Sequence, residues 1–308
     1  MNMLRYLLLG FGLLPLPMSA LAAADLVLQK VTEDVYAIVG DLGNRTAENL
    51  GNNATFGFVV TPAGVVLIDS GGTYQGAQQL HAVIKRVTDK PVITVINTGG
   101  QDHRWMGNGY FSQQGAKIMA HHKAVADQQA RSRDQFIAQA NLVGEKGLAG
   151  TEAKHADEPY GDETRFVSGG VEFEIYHAGQ AHTPGDSYVW LPKQRVMFTG
   201  DIVYTERMLG VGSQSNSRSW IKVYESMAAF SPDVVVPGHG HPATLAKADA
   251  DTYGYLKFLR ASVGEFFENG GDISQIGTID QSRYAYLLNH ETLAGRNAQQ
   301  VYSELEWE

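Results

Sequence analysis

The stretch "GVEFEIY" (170–176) alternates Val171, Phe173 and Ile175 with Glu172, Glu174 and Tyr176. That period of two predicts a strand with one wet face. Val35 to Val39 reads as a first strand, and "TFGFVVTPAGVVLIDSG" (55–71) as a hairpin around the Pro62-Ala63-Gly64 turn. "GAQQLHAVIKRV" (76–87) switches to a helical period, placing Ala77, Leu80, Val83, Ile84 and Val87 on one face. Pro91 then leads into "VITVIN", an apolar run suited to a buried strand. Further short strands are predicted at 116–120, 188–191, 196–199 and 234–236, and helices at 122–142 and 219–230, the latter with Ser219 as its N-cap. The tail from about Ala246 reads as mostly helical. Strands and helices alternate irregularly, with hairpins inside each half. A sandwich of mixed sheets covered by helices fits this order better than a parallel doubly wound sheet. No Gly-x-Gly-x-x-Gly follows the first strand, so a dinucleotide site is not supported.

Composition narrows the class. Hydrophobic residues make up 44% of the 308 and charged residues 19%, which suits a folded chain rather than a disordered one. The net charge of −9, with no basic run, argues against binding nucleic acid through its phosphates. There are no cysteines, so thiolate ligands are excluded and any metal must be held by His, Asp, Glu or weaker oxygen donors.

The N-terminus reads as a secretory signal. Arg5 supplies the positive charge, Leu7 to Leu14 the apolar core, and Ala20-Leu21-Ala22 the small-x-small cleavage pattern. The apolar part is shorter than the ~20 residues that span a bilayer, and Pro15 and Pro17 would break a helix. The expectation is a signal at 1–22, a single domain with a helical tail at 23–308, export to a bacterial periplasm, and no stable membrane insertion after cleavage.

Five predicted strands end in a short turn that carries Asp or His. These are Asp69 in "LIDSG", Asp102 and His103 in "NTGGQDH", His182 in "AHTPGD", Asp201 in "FTGD" and His239 in "PGHGHP". Strand ends on one edge of a sheet converge, and imidazole mixed with carboxylate suits zinc, iron or manganese. Each turn alone is an ordinary loop; the ordered recurrence is the signal. His121, His122, His155 and His177 fall outside it and are read as surface or strand residues. Arg104 and Trp105 follow the Asp-His pair directly. Trp105 is read as structural, and Arg104 either opens a helix or faces a pocket. The Gly-, Asn- and Ser-rich stretches 40–57 and 206–220 would face the substrate in an enzyme.

In this order the turns resemble the metallo-β-lactamase superfamily over about residues 31–245. "DSG" (69–71), "TGGQDH" (98–103), "GN" (107–108) with Phe111, "AHTPGD" (181–186), "FTGD" (198–201) and "PGHG" (237–240) carry the likeness. The signal, "GVVLIDSG", "TDKP" and "NAQQVYSELE" are similar to the exported metallohydrolases that accompany quinoprotein relay and sulfur-oxidation systems. The resemblance implies an αββα sandwich of two mixed sheets flanked by helices, and a metal-dependent hydrolase. It departs at the family's Thr-His-x-His-x-Asp-His element. Aligned from the right, Asp102 and His103 match its terminal Asp-His. Aligned from Asn97-Thr98, Gly99 and Gln101 fall on its first two histidines. Either way both histidines are missing.

Carried over from the family, Asp102, His103 and His239 form one metal site, with Asp201 as the carboxylate shared between sites. The other site keeps only His182. The implied cofactor is one divalent ion, zinc with iron or manganese as alternatives, held by Asp102, His103, Asp201 and His239, with His182 completing the shell or acting as an acid–base group. Gln101 could add its amide oxygen. Hydrolysis would use Asp102 or Asp201 as proton acceptor, and Asp69 is structural. The expected partners are a small-molecule or peptide substrate and a periplasmic redox system, with no nucleic acid. A non-catalytic periplasmic binding or accessory protein is the alternative. A β-lactamase in the narrow sense is not supported, because those enzymes need the missing histidines.

Overall fold

In the computed structural model, which describes residues 26–308, two sheets stack face to face with helices on both outer sides. The first sheet runs in chain order: β1 (Val27–Thr32), β2 (Val35–Val39), β3 (Thr55–Thr61), β4 (Gly64–Ile68), β5 (Val92–Asn97), β6 (Lys117–His121) and β7 (Glu158–Tyr160). Its first half is antiparallel, and from β4 onward the strands are parallel. The second sheet comprises β8 (Glu163–Ser168), β9 (Val171–Tyr176), β10 (Tyr188–Leu191), β11 (Val196–Phe198) and β12 (Val234–Val236), antiparallel except for the β11–β12 pair. This is the mixed-sheet sandwich the sequence predicts.

The period of two sorts each strand between layers. In β4, Val66 and Ile68 face the other sheet, while Val65 and Leu67 face the outer helices. In β10, Val189 and Leu191 point inward and Tyr188 and Trp190 outward. The sheets approach so closely at β3 that a Cβ on Gly57 would lie 2.2 Å from the Phe198 ring. Outside the first sheet lie α1 (Tyr74–Ile84), α2 (Asp102–Trp105), α3 (Asn108–Gln113) and α4 (His122–Leu148). Outside the second lie α5 (Ser217–Ala228), α6 (Leu245–Ala248), α7 (Gly254–Glu268) and α8 (His290–Leu305). Leu80 and Ile84 of α1 bury against the first sheet, as their spacing predicts.

Three strands escape the sequence pattern: β1, β7 and β8. Few of their residues are buried, so no apolar run marks them. The α5 helix begins two residues earlier than predicted, because the Asn216 side chain caps it by accepting from the Ser219 amide at 2.8 Å. The signal at 1–22 lies outside the described residues. Among those described, no helix is long and apolar enough to cross a membrane.

Candidate metal centre

The turns after β4, β5, β9, β11 and β12 meet at one rim of the sandwich. Asp69, with φ of 64°, leaves β4 in the left-handed region and turns its carboxylate inward. It accepts from the Thr98 amide at 2.7 Å, the Thr98 hydroxyl at 2.8 Å and Arg104 Nη1 at 2.9 Å. This aspartate ties the β4 turn to the β5 loop, the structural role expected of it.

At the centre stand His103, Asp201 and His239, all buried. His103 Nε2 lies 3.2 Å from Asp201 Oδ2, and His239 Nε2 lies 3.2 Å from Asp201 Oδ1. The two imidazoles meet edge to face at 5.1 Å. One ligand atom from each of the three residues falls within 4.8 Å of the others, the spread of a metal-binding group. The rear nitrogens are also engaged. His239 Nδ1 donates to the Asn53 carbonyl at 2.8 Å, which leaves Nε2 with its lone pair toward Asp201. His103 Nδ1 lies 2.7 Å from Arg45 Nη2, which can only donate, and 3.1 Å from Asp102 Oδ1. A ligating histidine characteristically carries a carbonyl or carboxylate behind the ring, as His239 does. Burial, helped by Arg207, holds His239 well below the ordinary imidazole range, so it stays neutral and able to ligate.

Asp102 and His182, both expected as ligands, stand outside this group. Asp102 is turned to the back of His103, where its Oδ1 takes the Arg45 Nη2 at 2.5 Å and the His103 amide at 2.7 Å. Burial alone would raise the Asp102 carboxyl. Arg45 and His103 outweigh it and hold the group below the usual carboxylate range. His182 lines the same cavity as His103 and His239, with Nδ1 donating to the Gly210 carbonyl at 3.0 Å. It packs between the Tyr204 and Trp220 rings, and burial lowers its pKa.

The two glycines of the β5 loop have no room for side chains. A Cβ on Gly99 would lie 2.5 Å from Asp186 Oδ1, and one on Gly100 only 2.0 Å from Asp127 Oδ2. The loop is clamped from α4: Gln128 donates to the Gly99 carbonyl at 3.1 Å, and Gln135 to that of Gly100 at 2.9 Å. Gln135 also accepts from the buried Trp105 indole at 2.8 Å, the structural role expected for that residue. Gln101 faces the cavity.

Three arginines and Tyr204 also stand at the centre or its cavity, and the sequence leaves them out or leaves them open. Arg104 is completely buried and does not face the cavity. Its Nη2 and Nε grip the two oxygens of Asp201 at 2.6 and 3.1 Å. Burial opposes its charge, but Asp201 and Asp69 more than compensate and raise its pKa above the ordinary value. Burial likewise opposes ionisation of Asp201, and Arg104 with His103 brings its pKa well below the usual range. Tyr204 adds its hydroxyl to Asp201 at 3.1 Å. Arg45 and Arg207 come from the two Gly- and Asn-rich loops and line a cavity of about 190 Å³. Arg207 is 8% exposed, yet has no carboxylate partner among the described residues. Its Nη1 donates to the Gly43 carbonyl at 3.0 Å, and its Nε is buried without a partner.

Comparison with known proteins bears on the family and the fold. The family model described as Metallo-beta-lactamase superfamily matches residues 51–239. A metallo-beta-lactamase type 2 from Elizabethkingia meningoseptica is 25% identical over 241 residues, 76% of this chain and 86% of that protein. The alpha subunit of a 2,4-dinitroanisole O-demethylase from a Nocardioides strain is 25% identical over 191 residues, covering 61% of this chain and 53% of the subunit. Among solved structures, a metallo-beta-lactamase from Pontibacter korlensis superposes with a TM-score of 0.61 at 20% identity, over 76% of this chain and 99% of that one. A double mutant of a sec-alkyl sulfatase superposes with a TM-score of 0.69 at 18% identity, over 91% of this chain and 50% of that one.

Proposed function

Because this chain belongs to the metallo-β-lactamase superfamily, we propose that it is an exported metal-dependent hydrolase working with one divalent ion, zinc first among the candidates, on a small anionic substrate. The observation that carries this reading is the convergence of His103 Nε2 and His239 Nε2 on the carboxylate of Asp201. Two imidazoles and a carboxylate are a donor set zinc accepts, and three protein ligands leave a position open for chemistry. The ion would supply Lewis-acid polarisation of an ester-type oxygen and would acidify water at neutral pH.

The chain's own residues do the rest. Arg45 and Asp102 together hold His103 from behind, and Arg104 keeps Asp201 ionised. His182, neutral and facing the cavity, is the group placed to complete the shell or to take and return a proton. Asp102 is withdrawn from that second role, since Arg45 and His103 already occupy its carboxylate. Around the centre, Asp69, Asp102 and Asp201 balance Arg45, Arg104 and Arg207. A bound dication therefore leaves the cavity positive, and Arg207 has donor capacity to spare for an anionic group. We read the β5 loop in register with Asn97-Thr98 and without a gap, so that His103 takes the place of the family's Asp and Arg104 that of its last His. The entry of His103 into the cavity, with Arg104 outside it and behind Asp201, supports this register.

Export is supported by the N-terminal sequence alone, and a periplasmic redox partner by the closer resemblance alone. One observation favours the alternative of a non-catalytic binding protein: both oxygens of Asp201 are already engaged by Arg104. The test is turnover by zinc-loaded protein of aryl sulfate, aryl phosphate and carboxylate-bearing esters beside a neutral ester. Turnover of an anionic ester that disappears in a folded His239→Ala variant supports the hydrolase. No turnover of any ester, with the anions still bound, supports the binding protein instead.

A further inference from the structure

A second group of donors gathers away from this cavity, where α4 begins. His121 ends β6, His177 follows β9, and Asp162 lies in the turn between β7 and β8. His121 and His177 are buried, whereas the Asp162 side chain is 74% exposed, so the group is open to solvent on one side only. We propose that His121, Asp162 and His177 form a second transition-metal site, separate from the centre at Asp201, that staples the two sheets together at their open edge.

The donor atoms are already gathered within the span of one ion's ligands. His121 Nε2 lies 3.2 Å from Asp162 Oδ1, and one ligand atom from each of the three residues falls within 4.8 Å of the others. Neighbouring ligands of a tetrahedral zinc ion, each about 2.1 Å from it, stand roughly 3.4 Å apart. The His121 and His177 rings are stacked, with centroids 3.9 Å apart and planes 20° from parallel, so one ring has to turn for both lone pairs to meet on one ion. His177 Nδ1 donates to the Asp186 carbonyl at 2.7 Å, which leaves Nε2 as the nitrogen with the lone pair. The backbone holds the third ligand in place, since the His177 amide donates to the Asp162 carbonyl at 2.8 Å.

Lys123 Nζ, 3.4 Å from His177 Nε2, is the group an ion would displace. It stands on the exposed first turn of α4, where water can receive it. The ion would join β6 and the end of β7 in one sheet to β8 and β9 in the other. Through His177 and the Asp186 carbonyl it would brace the 182–186 turn that carries His182.

The test is equilibrium dialysis of the full chain against zinc, followed by elemental analysis and thermal unfolding. The expected result is two equivalents in the wild type. Asp162→Asn, a surface change that leaves the fold intact, and His177→Gln should each hold one, with a smaller zinc-dependent rise in Tm. His239→Ala should also hold one. A wild type that never exceeds one equivalent, lost in His239→Ala, overturns the proposal, as do two equivalents that persist in both Asp162→Asn and His177→Gln. A single equivalent that survives His239→Ala but not Asp162→Asn keeps this site and removes the metal reading of the main centre.

Discussion

Arg104 and Asp201 form a two-pronged pair inside the protein, Nη2 to Oδ1 at 2.6 Å and Nε to Oδ2 at 3.1 Å. The remaining terminal nitrogen of Arg104 reaches Asp69 at 2.9 Å, so one guanidinium serves two buried carboxylates. Removing it strands both. Arg104→Met is expected to cost about 3–5 kcal/mol of stability, the range for breaking a buried pair from one side. Urea unfolding checks this, and a loss below about 1 kcal/mol would show that the pair is not structural.

Gly99 faces the Asp186 carboxyl with no room for a side chain. Restoring a histidine there should therefore not restore a second ion at the main centre. Gly99→His is expected to lower stability by about 1–3 kcal/mol through overpacking, with no gain in bound metal. Denaturation and metal content together decide the matter, and an added equivalent of tightly held zinc would contradict it.

Asp186 also gives a pH dependence. Burial, with Asp201 nearby, pushes its carboxyl up to about 8 from an ordinary 3.8. Between those two pH values the folded chain keeps a proton that the unfolded chain has released, so this group makes stability fall as pH rises across the window. Asn at 186 has no proton to lose and can copy the bonds to the Thr183 amide and hydroxyl. The stability of Asp186→Asn relative to wild type should improve steadily from about pH 4 to about pH 8 in metal-free protein. A difference that is flat with pH would place the titration elsewhere.

Arg207 is the cavity's buried cation without an acid partner among the described residues. Arg207→Ala is expected to raise KM for an anionic ester roughly tenfold or more, as loss of a charge-assisted contact of about 1.5–3 kcal/mol implies. The KM of a neutral ester should hardly move. Equal effects on both would mean that Arg207 only shapes the cavity.

The mixed-sheet sandwich and the rim where the turns meet are legible in the sequence because buried strands announce themselves by apolar runs and end in Gly-rich turns. Which residue of the Asp102-His103-Arg104 run enters the centre is not. Successive residues on a helix point about 100° apart, so only one of the three can face the ion, and the phase is set by packing of the loop against α4. The clamp from Gln128 and Gln135 has no local signature. Arg45 and Arg207 reach the cavity from loops whose composition marks them as flexible but not as charged walls. The His121–Asp162–His177 group is harder still, since its members come from three separate connections and share no motif. The β1, β7 and β8 strands escape the pattern because few of their side chains are buried and they form no apolar run.

Metal content at the main centre tests the central claim most directly. With the second group disabled by Asp162→Asn, purified protein dialysed against zinc and then against metal-free buffer should retain about one equivalent, and that equivalent should be lost when His103 or His239 is also changed to Ala. An equivalent that survives both changes, or none at all in the Asp162→Asn protein, would contradict a metal centre built on His103, Asp201 and His239.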